Sequence, residues 1–96
     1  MKKQINICNH KYKVLHIDFE GLSENFGSTL STTTTISIDS SITKSKQEVT
    51  LAHEILHVLL EESGARELVN ENEELLVMIM ENTFYDFLKQ NTNFYD

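Results

Sequence analysis

The stretch LAHEILHVL, residues 51–59, sets the frame for reading the rest of the chain. Between Val49 and Leu60 eight residues are apolar and four are polar, and the apolar residues fall on every side of a helix with 3.6 residues per turn. This pattern predicts a helix that is buried over most of its circumference. Its polar side chains must then find partners inside the protein, because burying them unpaired is costly. The four polar residues are Thr50, His53, Glu54 and His57.

The spacing of the two histidines predicts a metal site. His53 and His57 are four residues apart, so they project from one helix face with Cβ atoms about 5 to 6 Å apart. Two imidazole nitrogens at that separation can bind one zinc ion at about 2.0 to 2.1 Å. Glu54 lies about 100° further round the helix, beside such an ion rather than on it. We therefore expect Glu54 to act as a general base and then acid on water activated by zinc.

The alternative explanation is a pair of buried histidines that bond to backbone carbonyls or acids without any metal. The H-E-x-x-H pattern fixes only three residues and also occurs by chance in unrelated proteins. Here the other residues between Thr50 and Leu59 are all uncharged, whereas a copy on a solvated helix would usually carry Lys or Glu. The surrounding sequence therefore favours the metal site.

A catalytic zinc site needs a third protein ligand. The residue six positions after His57 is Ser63, which excludes the extended three-histidine pattern. The remaining histidines, His10 and His16, lie in predicted strands, so a glutamate from the second helix is the better candidate. Periodicity alone does not separate the three glutamates of that helix, although Glu74 is preferred below from a family resemblance. The three are Glu73, Glu74 and Glu81.

The N-terminal half is predicted to form strands. Ile5 and Ile7 alternate with polar residues before a turn at Asn9-His10, and a second alternation follows, which together indicate a β-hairpin. The second alternation consists of Leu15, Ile17 and Phe19. Residues 20–28 have the composition of a loop, and residues 30–39 are predicted to form one half-buried strand because they are rich in β-branched residues.

The C-terminal half is predicted to form two helices. Ser45 and Glu48 match a capping box, so the first helix should run over residues 46–62 and end near Gly64. Asn72 should cap a second helix over residues 73–89. We therefore expect one α+β domain over residues 1–96, with a three-stranded, mainly antiparallel sheet packed on two helices.

Composition limits the functions and locations open to the chain. The formal net charge is −7, and residues 47–96 hold eleven acidic but only two basic residues, which disfavours nucleic acid as a ligand. No apolar stretch is long enough to span a membrane, and the N-terminus lacks the apolar region of a secretory signal. The single cysteine, Cys8, suits a reducing compartment. We expect a cytoplasmic protein.

Two segments together carry a family resemblance. TTISIDSSITKSKQEVTLAHEILHVLL, residues 34–60, and ENEELLVMIMENTFYDFL, residues 71–88, resemble the small ImmA/IrrE-type metallopeptidases that are common in phages and mobile elements of Gram-positive bacteria. The resemblance implies a minimal zincin-like fold. It matches His53 and His57 to the two histidine ligands and Glu54 to the catalytic glutamate. Glu74 best matches the third ligand.

The resemblance implies a zinc-dependent endopeptidase that cuts a specific protein, such as a transcriptional repressor. The chain has no helix-turn-helix segment of the kind found in some longer relatives, so DNA-linked regulation by this chain itself is disfavoured. The alternatives are a zinc-stapled module that binds a partner, and a protein that recognises a repressor without cutting it quickly. The predicted strand over residues 30–39 could bind an extended substrate by strand addition. The oxyanion donor is open among Tyr12, His16, Tyr85 and Tyr95.

Overall fold

A four-stranded sheet packs against one side of a long helix in the computed structural model, which describes residues 1–21 and 25–96. The strands are β1 Gln4–Ile7, β2 His10–Ile17, β3 Gly27–Leu30 and β4 Thr35–Asp39. The helices are α1 Lys44–Glu62, α2 Arg66–Val69 and α3 Glu73–Asn91, with a 3₁₀ turn at Asn70–Asn72. The predicted α+β class is confirmed.

The sheet has four strands rather than the predicted three, in the order β1-β2-β4-β3. The β1-β2 and β3-β4 pairs are antiparallel, and the β2-β4 pair is parallel, so the sheet is mainly antiparallel as expected. All four strands belong to the described part of the chain. β3 and β1 form the two edges, and helix α1 packs against the sheet with α3 on its other side.

The single strand predicted for residues 30–39 is wrong. The structure divides it into β3 and β4 around a turn in which the Thr34 N–H donates to the Ser31 carbonyl at 3.3 Å. Thr34 has a φ of 47°, which strands do not adopt. Consecutive β-branched residues indicated a strand, but this local turn overrides that propensity. The loop predicted for residues 20–28 lies partly outside the described residues, and its last two residues begin β3.

The N-terminal hairpin is confirmed, but its inward-facing residues differ from those predicted. Cys8 and Asn9 have φ angles of 49° and 67°, the two positive values that a two-residue type I′ turn requires. This turn lies one residue earlier than predicted and places His10 in β2. Because a one-residue shift exchanges the two faces of a strand, Tyr12 and Val14 are buried instead of the alternating residues predicted. The exposed residues are Leu15 at 44 % and Ile17 at 48 %.

Strand β4 forms the centre of the core and leads into the site helix. Ile36 and Ile38 are fully buried, as their alternation predicts. Asp39 ends the strand, and its Oδ1 accepts hydrogen bonds from the Ser41 N–H, the Ser41 hydroxyl and the Phe19 N–H. These bonds, led by those from Ser41, lower the pKa of Asp39 below its usual value. The β4–α1 connection is thus held by a charged side chain.

Helix α1 begins two residues earlier than predicted. Its N-cap is Thr43, whose hydroxyl accepts from the Lys46 N–H at 3.3 Å, so the predicted cap at Ser45 is wrong. Because Ser45 lies inside the first turn, it cannot cap it. The helix ends at Glu62, and Gly64 follows in the left-handed region with a φ of 79°, which glycine adopts without strain. None of the helices in the described residues is long and apolar enough to cross a membrane.

The predicted second helix corresponds to α3 and begins at Glu73, as expected. Asn72 occupies the N-cap position, but its side chain makes no capping hydrogen bond. The short α2 and the 3₁₀ turn before it were not predicted as helices. They turn the chain so that α3 packs back along α1.

Glu48 joins α1 to α3 and the C-terminus instead of forming the predicted capping box. Its carboxylate is buried and accepts from the Tyr85 hydroxyl at 2.8 Å, with Lys89 Nζ at 3.6 Å. The Tyr95 hydroxyl donates to the Glu48 backbone carbonyl at 2.8 Å. Burial is the main cause that raises the pKa of Tyr95 above its usual value, so this hydroxyl stays protonated at neutral pH.

The Glu48–Tyr85 hydrogen bond predicts a stability effect. In Tyr85→Phe the buried carboxylate loses its closest donor, and the free energy of unfolding in urea should fall by about 1 to 3 kcal/mol. A double variant with Glu48→Leu replaces both partners by apolar groups and should lose less than the sum of the two single variants. Strict additivity would contradict a direct coupling between the two side chains.

Gly27 predicts a second stability effect through close packing of β3 on α1. A Cβ at this position would lie 2.7 Å from Thr50 Cγ2 and 3.3 Å from Glu54 Cγ. In Gly27→Ala the strand must move away from the helix, and the free energy of unfolding should fall by about 1 to 3 kcal/mol. Ser28→Ala, in the exposed neighbouring position, should change it by less than about 0.5 kcal/mol. Equal effects in the two variants would refute a special requirement for glycine.

Candidate metal centre

His53, His57 and Glu74 form a group that could hold a metal ion. One ligand atom from each residue lies within 4.8 Å of the others. His53 Nε2 is 3.0 Å from Glu74 Oε1, and His57 Nε2 is 2.8 Å from Glu74 Oε2. The two imidazoles come from one face of α1, with ring centroids 5.0 Å apart, and the carboxylate comes from the first turn of α3. The antiparallel-looking return of α3 along α1 is therefore what brings the three side chains together.

The other two glutamates of α3 contact the opposite nitrogens of the same imidazoles. Glu81 Oε2 lies 2.7 Å from His53 Nδ1, and Glu73 Oε2 lies 2.6 Å from His57 Nδ1. Carboxylates at these distances accept a hydrogen bond from Nδ1–H. Each ring is thereby oriented with Nε2 toward Glu74. Glu73 and Glu81, which the sequence left open as third ligands, face the Nδ1 atoms.

The hydrogen-bond chemistry of the histidines fits a metal ion between them and Glu74. A neutral imidazole carries one N–H, so donation from Nδ1 leaves Nε2 as an acceptor. Two acceptors, Nε2 and a carboxylate oxygen, then face each other at each histidine, and a cation or a proton between them is needed. Tetrahedral zinc with bonds of about 2.0 to 2.1 Å would hold two ligand atoms about 3.3 Å apart. The observed distances of 3.0 and 2.8 Å are close to that spacing.

Glu73 is held by a second partner from the connection between α1 and α3. The Arg66 Nε atom donates to Glu73 Oε1 at 2.7 Å, and Arg66 also contacts Glu61 at 3.5 Å. The hydrogen bond from Arg66 is the first cause, followed by that from His57, that holds the pKa of Glu73 below its usual range. Glu73 therefore carries its charge at neutral pH and links Arg66 to His57.

Glu54 lies beside the metal-ligand group and is held by the sheet. Only 7 % of the residue is exposed, and its Oε1 accepts from the Thr29 hydroxyl at 2.6 Å. Thr29 and Gly27 are two residues apart in β3 and so face the same side of the strand. Gly27 allows β3 to approach, and Thr29 fixes the carboxylate. The sheet thus orients Glu54, whereas α3 orients His53 and His57.

An open cleft of about 520 Å³ contains these groups. The Phe26–Ser28 segment, the exposed side of α1 and the start of α3 line it. Lys46 Nζ lies 4.5 Å from the centre of the Phe26 ring, a cation–π contact at the rim. Because β3 is an edge strand at this cleft, its free edge is accessible beside the metal-ligand group.

The four hydrogen-bond donors that the sequence offered for an oxyanion do not line this cleft. Tyr12 donates to Glu62 at 3.3 Å, and Tyr85 and Tyr95 both bond to Glu48. His16 lies beside Met1 with Nε2 3.1 Å from the sulfur. Their positions are distant in function from the histidine pair.

Sequence reasoning missed three features of the site. Thr29, Arg66 and the Nδ1 contacts of Glu73 and Glu81 were not anticipated. Thr29 is 25 residues from Glu54, and it was read as part of a loop or a strand edge, so no spacing rule connects the two. Only the three-dimensional approach of β3 to α1 could reveal that bond.

Comparison of the chain with protein-family models, with curated proteins and with solved structures gives no match. The interpretation of the centre therefore depends on its own geometry and chemistry.

Proposed function

We propose that the protein is a zinc-dependent endopeptidase. One observation carries this proposal: His53 Nε2, His57 Nε2 and the Glu74 carboxylate converge on one point, and the Glu54 carboxylate lies next to them in an open cleft. Two imidazoles and one carboxylate are a common ligand set of catalytic zinc, which keeps a fourth position open. Structural zinc sites are instead usually closed by four protein ligands.

The residues would divide the work of peptide hydrolysis. Zinc bound by His53, His57 and Glu74 would supply Lewis-acid activation of water and of the scissile carbonyl. Glu54 accepts the proton of the attacking water and delivers it to the leaving amine. The Thr29 hydroxyl keeps the Glu54 carboxylate in a fixed rotamer by donating to Oε1, which leaves Oε2 available for that proton.

The substrate would bind along β3. Strand addition was predicted for residues 30–39, but β4 is paired on both sides, by β2 and by β3. The free edge that borders the cleft belongs to Gly27–Leu30. An extended peptide that adds to this edge would run beside the metal-ligand group, with its backbone recognised by main-chain hydrogen bonds. The substrate class is thus a protein segment that can become extended.

The family resemblance of the sequence suggests a regulatory protein, such as a transcriptional repressor, as the substrate. A cytoplasmic setting is part of this proposal and depends on the single cysteine and the N-terminal composition. Cys8 is exposed in the β1-β2 turn. General protein substrates such as casein would be poor probes of such an enzyme.

A second candidate is a zinc-stapled module that binds a partner without cutting it. The observation in its favour is that the centre ties α1 to α3 in a chain of 96 residues, a size at which a metal can contribute much of the stability. A buried carboxylate at Glu54, held by Thr29, has no purpose in such a site. The peptidase therefore explains more of the structure.

Metal content tests the ligand set. Protein purified without a histidine tag should contain one equivalent of zinc by elemental analysis, and the zinc should be lost in both His53→Ala and Glu74→Ala because each removes a ligand. Glu71→Ala, a change at an exposed glutamate of the same segment, should keep it. Full zinc content in Glu74→Ala would refute Glu74 as the third ligand.

Glu54→Gln tests the reaction. The change keeps the shape of the side chain but removes the base, so cleavage should fall by about 10² to 10⁴ fold, while zinc content and melting temperature stay near those of the wild type. Mass spectrometry of new N-termini, after incubation with a proteome digest of extended peptides, would provide the readout without knowledge of the substrate. If the Gln variant generates the same termini at the same rate, the proposed mechanism is wrong.

A further inference from the structure

We propose that Glu81 and Glu73 are positioning residues that set the zinc affinity of the centre, and that Arg66 acts on the centre through Glu73. This inference rests on the proposed function, because it takes His53, His57 and Glu74 as the zinc ligands. It assigns each remaining carboxylate of α3 near the histidines a separate task. None of these three residues is itself a ligand in this arrangement.

The geometry of the histidines carries the first step. Each ring has one nitrogen toward Glu74 and the other toward a dedicated carboxylate, at 2.7 Å for His53 and Glu81 and 2.6 Å for His57 and Glu73. A carboxylate on Nδ1–H fixes the tautomer that leaves Nε2 free to bind metal, holds the plane of the ring and increases its basicity. Both histidines are therefore prepared for the metal in the same way.

The two supporting carboxylates are not equivalent. The Glu73 side chain is 14 % exposed and makes two hydrogen bonds with Arg66, at 2.7 and 3.2 Å. The Glu81 side chain is 25 % exposed, and within the described residues no lysine or arginine forms an ion pair with it. Glu73 is thus fixed in place with its charge offset, whereas Glu81 directs an uncompensated charge at its histidine.

Arg66 connects the centre to the segment between α1 and α3. It lies in the short helix α2 and contacts both Glu61 at the end of α1 and Glu73 at the start of α3. A bidentate guanidinium on a carboxylate restricts its rotation more than a single contact does. The turn that reverses the chain therefore also orients Glu73 and, through it, His57.

The experiment measures zinc dissociation constants by competition with a chromophoric chelator, for the full chain and its variants. Glu73→Ala and Glu81→Ala should each weaken zinc binding by about 10 to 100 fold, and the Gln variants should recover part of the loss because an amide oxygen still accepts from Nδ1–H. Glu71→Gln, which removes a charge two residues from Glu73 without touching a histidine, is the matched control and should bind as the wild type does.

Arg66→Gln separates direct from relayed effects. It should weaken zinc binding in the wild-type background and change it no further in the Glu73→Ala background, because the effect passes through Glu73. The visible absorption bands of the cobalt-substituted protein should shift in Glu73→Ala and Glu81→Ala, a change that lost stability alone would not produce. The Gln variants keep the side-chain shape and test the same inference if an Ala variant fails to fold.

Three outcomes would count against the proposal in different ways. Wild-type protein that binds no zinc would overturn this inference together with the proposed function. Tight binding by the wild type and equally tight binding by Glu73→Ala and Glu81→Ala would overturn the inference alone. Arg66→Gln that weakens binding equally with and without Glu73 would overturn the relay from Arg66.

Discussion

The centre of this protein depends on the contact between the histidine face of α1 and the first two turns of α3. Three glutamates of α3 approach two imidazoles of α1 within hydrogen-bond distance. So many carboxylates at one place repel each other unless positive charge is supplied. Arg66 supplies one positive charge, from the connection that joins the two helices. A divalent cation on the Nε2 side would supply most of the remainder, so the metal and the helix packing support each other.

The sheet makes its own contribution from the opposite side of α1. Leu51, Ala52 and Val58 are fully buried against their surroundings, so the helix has little freedom to rotate. Gly27 lets the edge strand approach α1 closely, and this proximity brings Thr29 to Glu54. A rotation of the helix that improved one of these contacts would disturb the others. The relative position of Glu54 and the histidines is thus determined by two independent packing partners.

The sequence was most informative where one helix carried the whole pattern. The H-E-x-x-H spacing lies within α1, and the start of α3 was placed at the observed residue. It was least informative where distant segments decide the outcome. Leu15 and Ile17 looked like the buried alternation of β2, but the turn at Cys8 and Asn9 selected the other face. The turn within residues 30–39 was hidden by threonines, whose strand propensity is similar on both sides of it.

The ambiguity among the α3 glutamates has the same origin. That helix has apolar residues on most sides, so its periodicity does not indicate which stripe faces α1. Residues 73, 74 and 81 all lie close enough to reach the histidines, and only the relative placement of the two helices distinguishes Nε2 from Nδ1 contacts. A pattern of one-dimensional spacing contains no information about which nitrogen of a ring a carboxylate meets.

Differences in exposure give these three carboxylates different chemical uses. The Glu74 side chain is 60 % exposed, whereas those of Glu73 and Glu81 are 14 % and 25 % exposed. A buried carboxylate that already holds an Nδ1–H has few free directions for a metal, but the Glu74 carboxylate opens onto the cleft. A metal bound on that side would be reached from solvent and would keep an open position toward the edge of β3. The arrangement therefore combines rigid histidines with an accessible ligand, which a catalytic centre needs and a purely structural one does not.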